Sequence, residues 1–144
     1  MADSAAKVIE IRIPSEFGYE KMVMKLASAV AQQMGFAPGR VEDLQTAVSE
    51  ACLNAIEHGN QLDPSARVGV VFTVLDDRLR IDVKDEGRGG PPPDQLPEPD
   101  IQRKIAGQEE PRRLGLHIIR QLVDEARFVD TADGGSQFCI VLRL

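Results

Sequence analysis

Glu50 and Asn54 stand four residues apart in a segment whose apolar residues recur at helical spacing, so they project together one turn apart. Such a pair is frequent by chance, and a solvated helix face is its ordinary reading. Its chemical reading is a carboxamide oxygen offered to magnesium beside a carboxylate that orients or deprotonates a nucleophile. Magnesium keeps several waters and leans on substrate phosphates, so it needs no cage of carboxylates. Asp85-Glu86-Gly87-Arg88-Gly89 directly follows a strand pattern. This is a common strand exit, but a carboxylate fixed there can accept a hydrogen bond from an exocyclic amine, and the glycines let a flat ring approach the backbone. Arg112-Arg113-Leu114-Gly115-Leu116 opens a helical pattern. Unpaired amides and the positive dipole end at a helix start suit phosphate oxygens; the plain alternative is a helix start with solvated arginines. Gly134-Gly135-Ser136 precedes a final strand, where a hairpin turn is the default and the hydroxyl is a further candidate contact.

The elements that must hold these residues follow from the hydrophobic periods. Val8, Ile9, Ile11 and Ile13 form a strand that Pro14 ends. From Tyr19 the positions Met22, Val23, Leu26, Val30 and Met34 predict a first helix, stopped by Gly35 and Pro38. A second helix is predicted from about Arg40 to His58, with Val41, Leu44, Val48, Cys52 and Ala55 on its apolar stripe, Glu50 and Asn54 opposite, and Gly59 as the residue just past its end. Val68, Val70, Phe72 and Val74, a turn at Asp76-Asp77, then Leu79, Ile81 and Val83 predict a hairpin. Asp85 to Pro111 is rich in glycine and proline and reads as a long binding loop or lid. A third helix is expected from Leu114 to Glu125, and two strands at about Ala126–Thr131 and Ser136–Leu144. This order is α+β: a two-layer α/β sandwich with a mixed, mostly antiparallel sheet and its helices on one face.

Composition limits what such a layout can do. With 144 residues, one domain spanning 1–144 is the working expectation. Lys plus Arg number 17 against 23 Asp plus Glu, a net charge of −6, so no broad basic surface is offered to nucleic acid or an anionic bilayer. Phosphate must then be held locally, by backbone amides, a metal or a few placed side chains. Cys52 and Cys139 lack the spacing of a zinc site or disulfide framework, and no run approaches a membrane span. A cytoplasmic protein is expected. His117 and His58 read as an ordinary helix histidine and a helix-end histidine, and Cys52 as a small core residue. P-loop, zincin and hydrolase-elbow motifs are absent.

The motifs' order restricts more than any one of them. E-x-x-x-N on a helix, D-x-G-x-G after a hairpin strand, a Gly/Pro-rich loop, a glycine at the next helix start and Gly-Ser before a strand together resemble the Bergerat-fold ATP-binding domain of gyrase-type ATPases and histidine kinases. AVSEACLNAIEHGN, DVKDEGRGG and LGLHIIRQLVDEARF look most like the single-domain bacterial anti-sigma-factor serine/threonine kinases, with the resemblance running from Ile9 to Leu144. It implies ATP and Mg2+ as cofactors, Asn54 as the magnesium ligand and Glu50 as general base. It further implies that Asp85 recognises the adenine amino group with Gly87 and Gly89 allowing close approach, that Leu114, Gly115 and Leu116 cradle phosphate, and that Ser136 touches adenine directly or through water. About 86–112 would be the ATP lid. The implied activity is phosphorylation of a serine on an anti-anti-sigma antagonist, the implied partners are that antagonist and a sigma factor, and the implied assembly is a homodimer without direct nucleic-acid or membrane contact. A second reading, in which ATP is a structural ligand of a regulatory module without transfer, is raised by the single glycine that follows Arg112, Arg113 and Leu114.

Overall fold

The computed structural model describes residues 6–87, 111–129, 131 and 135–144. Strand β1 (Lys7–Pro14) leads into helices α1 (Glu20–Met34) and α2 (Pro38–Asn54). A π-helical turn (Ala55–Gly59), strands β2 (Arg67–Val74) and β3 (Arg78–Lys84), helix α3 (Pro111–Leu122) and strands β4 (Glu125–Val129) and β5 (Gln137–Arg143) complete the order. The sheet runs β1-β2-β3-β5-β4, and every pairing is antiparallel. The sheet, expected to be mixed and mostly antiparallel, is antiparallel throughout among the described residues.

Alternation decides which face of the sheet is covered. Val68, Val70 and Phe72 on β2, Leu79, Ile81 and Val83 on β3, and Phe138, Ile140 and Leu142 on β5 are buried on one face and meet the helices. Their neighbours in sequence, among them Thr73, Arg80, Asp82 and Lys84, turn to the other face. From the helices, Val23, Ala27, Val30, Leu44, Val48, Cys52, Ile56 and Ile119 complete the core. A large aliphatic or aromatic side chain buried in this way contributes about 1.5–3 kcal/mol. The predicted α2 stripe is buried throughout. On α1 the buried line is Glu20, Val23, Ala27, Val30 and Ala31, whereas Met22 is 56% exposed, because it lies about 100° around the helix from Val23.

The ends of elements differ from expectation for identifiable reasons. Gly59 does not take the left-handed conformation expected of a residue past a helix end; positive φ falls at Gln61 (52°) and Leu62 (58°). The helical path widens instead, with Asn60 N–H donating to Ala55 O at 2.8 Å and Leu62 N–H to Ile56 O at 2.9 Å, so the chain reverses two residues later. Helix α3 begins at Pro111, a residue suited to a helix start, and ends at Leu122, because Glu125 is already paired with Val141. Asp124 closes this corner: its carboxylate accepts from Arg40 Nη2 and from Arg143 N–H, each at 2.7 Å. The start of α2, the α3–β4 turn and the end of β5 are thus tied together. The expected lid falls mostly outside the described residues.

Candidate functional site

Helix α2 packs against α1 and α3. Glu50 and Asn54 lie on the side toward α3 and are half-buried, so they do not form the solvated face that an isolated pair would suggest. Gly115, in the second turn of α3, faces them. A Cβ built on Gly115 would stand 3.5 Å from Asn54 Nδ2 and 3.7 Å from Glu50 Oε1. The missing side chain leaves room in front of a carboxylate and a carboxamide, next to the amide-rich start of a helix. That combination suits an anion brought with its own cation. Among the described residues no cluster of His, Cys, Asp or Glu could hold a metal alone. One carboxamide oxygen completed by phosphate oxygens and water therefore fits magnesium, whereas a protein-only metal centre does not. Leu116 turns its side chain into the core, so only its backbone is available to a ligand, and His117 is exposed.

The second part of the site gathers around Asp85, which is 6% exposed. Its backbone N–H donates to Ser136 O at 2.9 Å, continuing the β3–β5 ladder one step past Lys84. Its Oδ1 accepts from Gly87 N–H at 2.8 Å and Ser136 N–H at 3.1 Å. Gly87 has φ 79°, a conformation that strongly favours glycine, and it folds the strand exit back onto the carboxylate. From below, Gly59 meets the same side chain: a Cβ there would come within 2.7 Å of Asp85 Cβ and closer still to the carboxylate. Glycine at position 59 serves this close approach.

The sequence-predicted residues therefore form two neighbouring groups beside the run made by α2 and the π-helical turn. Glu50, Asn54, Gly115 and Leu116 belong to the first, Asp85, Gly87 and Ser136 to the second; Gly89 lies outside the described residues, as does the side chain of Leu114. Gly59 is five residues beyond Asn54, about 7 Å along a helical path. An elongated ligand with a phosphate end and a ring end could span the two groups.

Three residues escaped the sequence reading. Gly59 was legible as a helix-end signal, with nothing to disclose its contact with Asp85. Asn60 and Ser15 are fully buried and hydrogen-bonded to each other across 45 positions. No spacing rule joins residues so far apart.

Against known proteins, the profile of the histidine kinase-like ATPase domain matches residues 13–142. The chain is 35% identical over 130 residues to a Bacillus licheniformis protein named serine-protein kinase RsbW, covering 85% of this chain and 78% of that one. It is 34% identical over 124 residues to the Bacillus subtilis (strain 168) protein of the same name, with the same coverage. Among solved structures it resembles the RsbU and RsbW domains of a Mycobacterium tuberculosis protein, with TM-score 0.67 and 23% identity over 96% of this chain. The chain spans about a third of that larger protein, 32% of its length, and the likeness there is one of fold.

Proposed function

The chain belongs to the histidine kinase-like ATPase domain family and, within it, to the RsbW-type serine-protein kinases; from that premise we propose that it is an anti-sigma factor that uses ATP to phosphorylate a serine on an anti-anti-sigma antagonist. The observation that carries the reading is the meeting of Glu50, Asn54 and Gly115 at the α2–α3 contact. In this reading the adenine lies against Asp85, Gly87, Gly89 and Ser136. The triphosphate then lies along the α3 start at Leu114, Gly115 and Leu116.

Phosphoryl transfer asks the protein mainly for positioning and for charge neutralisation. Asn54 would hold magnesium, which supplies charge neutralisation at the phosphate oxygens when bound. Glu50 stands one turn away, placed to accept the hydroxyl proton of the substrate serine. A serine hydroxyl is a weak acid, so Glu50 need not hold that proton in the ground state; it must be within hydrogen-bond reach as the phosphoryl group leaves ATP. Lid residues of about 86–112 would exclude water during transfer.

The remaining parts of the reading concern the setting. The chain is taken as a single domain over 1–144 acting as a homodimer, and its buried free thiols at Cys52 and Cys139 fit a setting in the cytoplasm. The unphosphorylated antagonist would displace the bound sigma factor, and phosphorylation would release the kinase to capture it again. Incubation with γ-labelled ATP, Mg2+ and the cognate antagonist is expected to label a serine, and Glu50→Ala to lower labelling at least a hundredfold while ATP affinity stays within a fewfold of wild type. Labelling at the wild-type rate in Glu50→Ala would sink the base assignment.

A further inference from the structure

Asn60 is fully buried, and its carboxamide joins three distant segments. Oδ1 accepts from Glu86 N–H at 2.7 Å, while Nδ2 donates to Ser15 Oγ and to Arg67 O, each at 3.0 Å. Ser15 Oγ in turn donates to Ala66 O at 2.8 Å, and Glu86 Oε2 accepts from Arg67 N–H at 2.7 Å. The backbone around Asp85 is therefore gripped on both sides. The sheet holds it through Asp85 N–H to Ser136 O, and Asn60 holds it through the next amide, Glu86 N–H. Only a carboxamide meets this demand. One acceptor must face an N–H while donors face a carbonyl and a hydroxyl; aspartate would set an oxygen against Arg67 O, and serine would be too short to span the gap.

We propose that Asn60 is a positioning residue that sets where the Asp85 carboxylate stands, and thereby sets selectivity for purines that carry a 6-amino group. The inference rests on the reading of Asp85 as the adenine contact. Its physical basis is that a hydrogen bond to a charged acceptor is sensitive to displacement. Asp85 is held from below by Gly59 and at its carboxylate by Ser136 and Gly87, and the Asn60–Glu86 bond adds a restraint on the backbone one residue further along the chain.

The test compares dissociation constants for ATP and for purine riboside triphosphate, which lacks the amino group, in the full chain. Wild type should prefer ATP by roughly ten- to a hundredfold, the range of one charge-assisted hydrogen bond. Asp85→Asn should reduce that preference to within about threefold. Asn60→Ser should weaken ATP roughly tenfold and leave purine riboside triphosphate within about twofold of wild type, narrowing the ratio. A general loosening of the fold would weaken both ligands alike and keep the ratio, which overturns the inference. A wild-type ratio in Asp85→Asn overturns the adenine reading and this inference together, whereas collapse in Asp85→Asn beside an unchanged ratio in Asn60→Ser overturns this inference alone. Should Asn60→Ser fail to fold, Ser15→Ala, which removes one acceptor from the carboxamide, should narrow the ratio about threefold, and an unchanged ratio there also overturns the proposal.

Discussion

Gly115 shows how a single missing side chain can separate stability from binding. It lies within α3, where alanine is favoured over glycine by up to about 1 kcal/mol because it loses less backbone entropy. A methyl group there would find ordinary contact distances of 3.5 Å to Asn54 and 3.7 Å to Glu50, so the fold can accept it. It would, however, fill the space that the proposed phosphate needs. Gly115→Ala is therefore expected to raise unfolding free energy by about 0.5–1 kcal/mol in urea titrations while weakening ATP at least tenfold by calorimetry. Unchanged ATP affinity in a stabilised variant would place the phosphates elsewhere. The titratable residues nearby divide by the same logic of what surrounds them. Cys52, two residues from both Glu50 and Asn54 and so on the opposite side of the helix, is pushed up to about 12 by burial and by the Glu20 carboxylate, which leaves it a thiol that packs and does not react.

At the scale of elements, the corner made by Arg40, Asp124 and Arg143 carries a pH dependence whose sign can be worked out. The Arg143 N–H holds the Asp124 carboxyl below the usual aspartate value of 3.8; burial opposes this, and Arg40 adds to it. A carboxyl with a lowered folded-state value adds stability above the unfolded value, and this is lost as pH falls through the folded one. Asp124→Asn should thus cost about 0.5–1 kcal/mol near neutrality, a surface-pair magnitude, and the gap to wild type should close as pH drops below 3.8 in denaturant titrations. A gap that persists in acid would assign the effect to shape and not to charge. This corner also marks how far the elements were legible beforehand. Strands β2 and β3 could be read from alternation because one face is buried and the other is not, and the α2 stripe from its 3.6-residue period. The boundary between α3 and β4 could not, because it is decided by the pairing of Glu125 with Val141. Likewise the Glu50–Asn54 pair was readable as a shared helix side, but its half-burial depends on where α3 docks. Asn60 was invisible for the same reason: its partners are set by the tertiary fold, and its own neighbourhood in sequence reads as the end of a helix.

Taken whole, the molecule places its ring-binding and phosphate-binding candidates on elements that share one core, with α2, the π-helical turn, β3 and α3 all contributing. A ligand bridging them should stabilise the sheet and the helices together. The net charge of −6 does not oppose this, since the phosphates would be neutralised by magnesium and by amides at the α3 start. At ATP about a hundredfold above its dissociation constant, with Mg2+ present, mass action adds about 2.7 kcal/mol to unfolding. For a chain of this size that corresponds to roughly 8 °C in Tm. With no tryptophan and one tyrosine in the chain, far-UV circular dichroism is the practical probe. Hydrogen exchange gives the sharper outcome: amides of Phe72 in the sheet and Val48 in α2, both buried in the common core, should gain equal protection on adding MgATP. Protection confined to α2 and α3 would mean that the nucleotide does not reach Asp85. The ring end of the site would then have to be sought away from the sheet.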